Sequence, residues 1–303
     1  MRAYARASIQ EMDMTPLRQR MLDALILRGM ASRTQQAYTD AVSLLARHYG
    51  RSPDTLSAEQ VQEFLLHLLR DRQRSRSTVN QYGCAYRFLF GTVLGLDCRQ
   101  FYIPLGIAPQ RLPEILARAE IARLLAVTTR LGPRTFLMLA YGTGLRLSEL
   151  CHLRVGDIDS HADRMCIRVV QGKGGKDRYV PLAPDVLQAL RTWWCSSRPP
   201  LWFFPSHADP SQPISDATPQ KWYQAARAQA GITKQGGIHT LRHCYATHTL
   251  EAGADLNSLS RCLGHRHLST TSRYLHLARP DAPDGARCNP LNLLAALPPL
   301  NPD

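Results

Sequence analysis

The sequence predicts a mainly α-helical protein with a small antiparallel β-sheet, an α+β chain in two domains. Three observations carry that reading. From Thr15 to about Gly95 apolar residues recur at helical spacing and no stretch alternates like a strand. Residues 97–113 contain three prolines and a glycine, which break any helical period. Beyond them, residues 164–170 and 178–182 alternate like two strands around a Gly- and Lys-rich turn, inside an otherwise helical pattern. A chain of 303 residues is long enough for two cores.

Thr15 caps the first predicted helix, Pro16 takes its first position, and Leu17, Met21, Leu25 and Ile26 line it. A second helix starts near Ser32, with Thr34, Tyr38 and residues 41–45 at helical spacing. Ser57 caps a third, through Val61, Phe64, Leu65 and Leu68. Residues 71–77, DRQRSRS, read equally as a solvated turn or as a phosphate-contacting loop. The last helix of this half holds Val79, Tyr82, Tyr86, Phe88 and Leu89, so four helices make a bundle. The linker composition places the domain boundary between residues 105 and 106.

The second domain is predicted to open with helices over 113–126 and 134–141, followed by GTGLRLSEL, a Gly-rich turn leading into a helix. Next comes the hairpin, with Lys173 and Lys176 at its tip. Residues 196–219, rich in Ser and Pro, read as an irregular loop to which Trp202, Phe203 and Phe204 add a strand. From Thr218 the pattern is helical as far as Tyr274, with a short helix over 254–263 that Gly264 ends and Ser269 or Thr270 capping the next. Residues 281–289 read as flexible. The following LNLLAAL is a short apolar helix with no evident partner in its own domain.

The net charge of +13 and pI near 9.7 favour a polyanionic partner. Up to residue 105 there are 14 Arg, no Lys and 9 acids; beyond it 23 basic and 15 acidic residues follow, so both halves are basic. That distribution suits a clamp around a duplex better than a basic tail does. Only four lysines stand against 33 arginines, and two of them share the hairpin hexapeptide. A lysine there is either a residue whose proton can leave or part of a solvated turn. Eight cysteines without a CxxC pair indicate neither a zinc site nor a disulfide framework, and reduced cytosolic thiols are the expectation. The N-terminus has no apolar signal segment and no 18-residue apolar run occurs, so the expectation is a soluble cytoplasmic protein without membrane contact.

On a helix, His239, Arg242 and His243 stand at i, i+3 and i+4 and share a face that suits an anion. The turn LGH, with His265, and then Tyr274 lie close enough in sequence to converge on it. Taken singly, each residue has an ordinary structural reading, and Arg146 alone reads as a surface arginine at the start of a helix.

Together, Arg146 in GTGLRLSEL, Lys173 in GKGGKDR, His239 and Arg242 in HTLR, and LGHRHLSTTSRYLH with His265 and Tyr274 resemble the tyrosine recombinase (phage integrase) family, in order and spacing, across residues 113–277. The resemblance implies an N-terminal core-binding, DNA-binding domain over 1–105 and a catalytic domain over 106–303 with an oligomerisation tail. It implies Arg146 and Arg242 as phosphate clamps, Lys173 as the acid, His239 and His265 as hydrogen-bonding and proton-transfer groups, and Tyr274 as the nucleophile. Arg266 and His267 depart from the small polar residues common after the LGH. Lys176, three residues on, is an alternative to Lys173.

The implied activity is site-specific cleavage and rejoining of double-stranded DNA, associated with a mobile element, through a 3'-phosphotyrosine, by a nucleoid-associated homo-oligomer that forms a tetramer on DNA. A phenol of pKa about 10 is only about 0.1% ionised at pH 7, so it needs a positive site to attack a phosphodiester. Two arginines provide one, and no metal, cofactor or ATP is expected. Three rivals fit less well. A regulator that only binds DNA has no need of Tyr274; a type IB topoisomerase would not require the apolar tail; and a metal-dependent nuclease needs a carboxylate cluster that the sequence lacks.

Overall fold

The computed structural model describes residues 15–97, 99, 101–107, 112–170, 177–278 and 292–295. The chain forms two compact units, Met1–Arg111 and Leu112–Asp303.

Among its described residues the first unit contains helices and no strand. Helix α1, Pro16–Leu27, is capped by Thr15, whose side chain accepts from the Arg18 N–H. Helix α2, Ser32–Tyr49, ends on Gly50 in the left-handed conformation. Ser57 and Gln60 close a reciprocal cap on α3, Ala58–Arg70. Ser75 caps α4, Arg76–Arg87, which runs on into a π-helical turn, Phe88–Val93. Met21, Leu25, Leu45, Val61, Phe64 and Tyr86 are among the side chains that fill the core, and the Tyr86 hydroxyl donates to the Ala41 carbonyl at 3.1 Å.

The expected linker is shorter than its composition suggests. Ile103 is buried in the bundle core, Arg87 donates to its carbonyl at 2.7 Å, and Asn80 exchanges two hydrogen bonds with Gly106. These side chains satisfy the polar backbone of a segment that has no regular structure of its own.

The second unit is built around α6, Leu131–Thr143, a nearly wholly buried helix. Before it stands α5, Arg118–Ala126. This helix starts later than its prolines suggested, where the Glu120 carboxylate accepts the Ala117 N–H. After α6 come α7, Leu147–Cys151, and an antiparallel sheet of β1, Ile158–Asp159, β2, Cys166–Val169, and β3, Arg178–Pro181, in the order β1-β2-β3. The register pairs Ile167 with Val180 and Val169 with Arg178, placing Ile167, Val169 and Val180 inward. The hairpin tip, with Lys173 and Lys176, lies outside the described residues.

Helices α8, Pro184–Ser197; α9, Ala217–Gln229; α10, His239–Glu251; α11, Leu256–Leu263; and α12, Ser269–Ser272, complete the unit. Helices α8 and α10 both pack on α6. Trp202 makes only an isolated bridge to Arg154, so the expected strand there is absent, and Phe203 and Phe204 instead insert into the core. Neither Ser269 nor Thr270 caps a helix bearing Tyr274. Helix α12 is a single turn starting after Leu268, and Tyr274 lies in the turns beyond it.

The tail also departs from expectation. Leu293 and Leu294 are buried in this unit's own core, and Asn292 donates to Asp185 at 3.0 Å. Through these two leucines the apolar segment has a partner in cis. Leu291 and Leu297 lie outside the described residues.

Candidate active site

The site is assembled by one turn. Gly264 ends α11 at φ +63, and the carbonyls around it face two arginines. Arg146, at the N-cap of α7, donates to the Gly264 carbonyl at 2.8 Å, and Arg242 on α10 donates to the Leu263 carbonyl at 2.7 Å. Arg242 also donates to the Gly144 carbonyl and stands 3.2 Å from His265 Nε2. Gly144 is in the left-handed region at φ +61, and a Cβ there would lie 2.3 Å from the Tyr245 ring. The backbone thus packs against the Tyr245 ring, with its carbonyl on Arg242, because residue 144 has no side chain.

Two residues the sequence reading did not select complete the frame. Glu149, at the third position of α7, accepts the Arg146 N–H and the Arg146 guanidinium, both at 2.8 Å. It also binds Arg178 of β3 through two parallel hydrogen bonds of 2.9 and 2.7 Å, while Arg178 Nε donates to the Cys262 carbonyl. Burial pushes the Glu149 carboxyl up, but the hydrogen bonds and charge of Arg178, with those of Arg146, outweigh it and hold the group at about 2. Burial and the charge of Arg146 lower Arg242 to about 10, so it stays charged at neutral pH.

His265 has a defined tautomer. A guanidinium has only donors, so Nε2 facing Arg242 accepts, and Nδ1–H donates to Thr271 Oγ1 at 2.7 Å. Burial and the arginines nearby, Arg242 first, hold this imidazole at about 4. His239 is open to solvent on one side, with its ring centroid 5.1 Å from that of His243. Partial desolvation and then Arg242 keep it below the ordinary histidine range.

Tyr274 is 3% exposed. Its ring lies nearly parallel to His265, 11° between planes and 6.4 Å between centroids, and its hydroxyl is 2.8 Å from His243 Nδ1. Burial raises its pKa above the usual phenol value, with Arg242 and Arg273 drawing it partly back. Five of the six expected residues, Arg146, Arg242, His239, His265 and Tyr274, are thus brought to one place. The sixth, Lys173, is outside the described residues, as is its alternative Lys176. Among the described residues, no three His, Cys, Asp or Glu side chains are grouped to hold a metal ion. No helix is long and apolar enough to cross a membrane, among the described residues.

Known proteins share both fold and sequence with this chain. Residues 111–280 match the phage integrase family, and residues 17–100 match the phage integrase N-terminal SAM-like domain. A Sinorhizobium fredii homologue, y4qK, classed with the integrases and recombinases, is 39% identical over 273 residues, covering 89% of this chain and 87% of that protein. The tyrosine recombinase XerA of Thermococcus kodakarensis is 34% identical over 252 residues, 82% of this chain and 86% of that one. Among solved structures, the Tn1549 transposon integrase with circular intermediate DNA superposes at TM-score 0.67 with 20% identity, over 89% of this chain and 97% of that chain. A lambda integrase dimer on a core site gives the same score at 18% identity, over 84% and 95%. The chain belongs to the phage integrase family. It is a tyrosine-type site-specific recombinase.

Proposed function

We propose that the protein cuts and rejoins double-stranded DNA at specific sites through a 3'-phosphotyrosine on Tyr274, without metal or ATP, and works as a homo-oligomer, a tetramer, on its DNA. The observation that carries this reading is the single turn at 263–265, which binds Arg146 and Arg242 through its carbonyls and stacks His265 on the buried Tyr274. A phosphodiester held by the two guanidiniums would have its developing charge stabilised as the phenol oxygen adds to phosphorus; losing one such donor typically costs on the order of a hundredfold or more in rate. His239 and His265 supply further hydrogen bonds to the phosphate. Lys173, from the hairpin, protonates the departing 5'-oxygen. The phosphotyrosine keeps the bond energy, so a second DNA hydroxyl reseals the strand. The N-terminal bundle binds the duplex beside the cut, and the DNA-bound relatives support duplex DNA as the partner. By the same reading the protein is cytoplasmic and associated with the nucleoid, and serves a mobile element.

The test is to incubate the protein with DNA flanking its own coding sequence in excess EDTA, trap covalent ends with detergent and sequence them. The expected result is an adduct at a defined sequence with the wild-type chain and none with Tyr274→Phe, which should bind DNA nearly as well. An adduct that persists in the phenylalanine variant, or cleavage that chelation abolishes and magnesium restores, overturns the reading.

A further inference from the structure

We propose that His243 is the base that removes the Tyr274 hydroxyl proton as the phenol oxygen attacks phosphorus; this rests on Tyr274 being the nucleophile. The basis is geometric. The Tyr274 hydroxyl is buried and 2.8 Å from His243 Nδ1, a distance at which a proton can pass directly. His243 reaches it because α10 sets residues 239, 242 and 243 on one face, so the helix that presents Arg242 to the turn at 263–265 also presents an imidazole to the tyrosine.

The other groups around the hydroxyl are less able to take its proton. Arg242 and Arg273, the nearby cations, have no acceptor atom. His265 stacks on the tyrosine ring, and both of its nitrogens are committed, Nε2 to Arg242 and Nδ1–H to Thr271. His239 touches His243, ring to ring, and lies one step further from the phenol. Burial first, then His239, Arg242 and Arg273, hold the His243 imidazole at about 4, so at neutral pH it carries a free lone pair. A phosphate anion entering between the arginines adds negative charge beside that imidazole. This raises its proton affinity at the moment a base is needed.

The step balances without any other reactant. The Tyr274 O–H bond breaks and its proton moves to His243 Nδ1, while the phenol oxygen forms a bond to phosphorus. The P–O5' bond then breaks with its electron pair on the 5'-oxygen, which takes a proton from the general acid. In the resealing step a 5'-hydroxyl attacks the phosphotyrosine, and the imidazolium returns its proton to the departing phenol oxygen. His243 is therefore a base in cleavage and an acid in ligation.

The experiment is single-turnover adduct formation on the flanking-DNA duplex across pH, for the wild-type chain, Tyr274→Phe and His243→Gln. The pH series is repeated in the wild-type and His243→Gln chains with a fluorinated tyrosine of lower phenol pKa at position 274. His243→Gln is expected to bind DNA with unchanged affinity, to form adduct about a hundredfold more slowly, and to lose the acid limb of the pH profile. Fluorination is expected to restore tenfold or more in the glutamine variant, because an easier proton loss relieves the need for a base. In the wild-type chain it should leave the acid limb where it is, since that limb belongs to His243. A glutamine variant within threefold of wild type overturns the proposal, as does one that fluorination does not help. So does a wild-type acid limb that moves with the phenol pKa, a readout that does not depend on the variant folding. Each of these leaves Tyr274 as the nucleophile, whereas an adduct in Tyr274→Phe removes both readings.

Discussion

Glu149 joins two arginines of the site although it is not among the residues expected to act on the phosphate. Its side chain, 9% exposed, holds Arg146 and Arg178 together, and removing one partner from a buried ion pair strands the others, typically at about 3–5 kcal/mol. Its folded pKa of about 2 lies below the ordinary glutamate value. The associated stability is therefore fully present above about pH 4.5 and is lost as pH falls toward 2, on the order of 3 kcal/mol in all. Glu149→Gln, nearly the same shape without the charge, is expected to destabilise the protein by about 2–4 kcal/mol near pH 7 and by about 1 kcal/mol less near pH 3.5, measured by denaturant unfolding. A penalty that stays constant between those pH values would show that the charge of Glu149 does not carry it.

Arg146, His239, Arg242, His265 and Tyr274 are legible only as a set, through the family resemblance their motifs carry together, since singly each has an ordinary structural reading. Glu149 was not visible in the sequence, since an acid in the first turn of a helix has an ordinary capping reading. Arg178 read as one residue of a strand. His243 was placed on the right face, but its partner lies 31 residues away across two turns, a distance that no local period reveals.

At the scale of elements, caps and periodicity located most helices of both units, and the alternation over 164–170 and 178–182 located β2 and β3. Helix α8 has no counterpart among the expected elements, and the first strand, two residues long, is too short to alternate. The partner of the tail is not legible for a physical reason: a short apolar segment has no partner in the sequence string, while in the fold Leu293 and Leu294 join the core of the second unit, Leu294 close to Gly142 of α6. Replacing a buried leucine by alanine typically costs about 2–5 kcal/mol. The double variant Leu293→Ala, Leu294→Ala is therefore expected to lower the melting temperature of the second unit by on the order of 10 °C in calorimetry. A shift of less than about 2 °C would mean that these leucines do not bury against their own unit in solution.

The two units have separate hydrophobic cores, one lined by residues such as Phe64 and Tyr86, the other by Phe136, Tyr141 and Leu241. Both are basic: residues 1–111 hold 15 Arg against 9 acids, and residues 112–303 hold 22 basic against 15 acidic residues. If each unit neutralises DNA phosphates, each releases its own counterions, and the logarithm of the binding constant falls with the logarithm of salt by about 0.9 per phosphate contacted. Slopes from modules bound to one duplex add, whereas affinities of linked modules rise through effective concentration. The expected outcome, measured by fluorescence anisotropy on a duplex of arbitrary sequence between about 50 and 200 mM salt, is a slope for the intact chain close to the sum of those for residues 1–111 and 112–303 expressed separately. With about six phosphate contacts in total, affinity should fall on the order of a thousandfold across that range. A single unit reproducing the full slope would show that the other meets no phosphate, and the even spread of charge along the chain would then have to be explained by solubility alone.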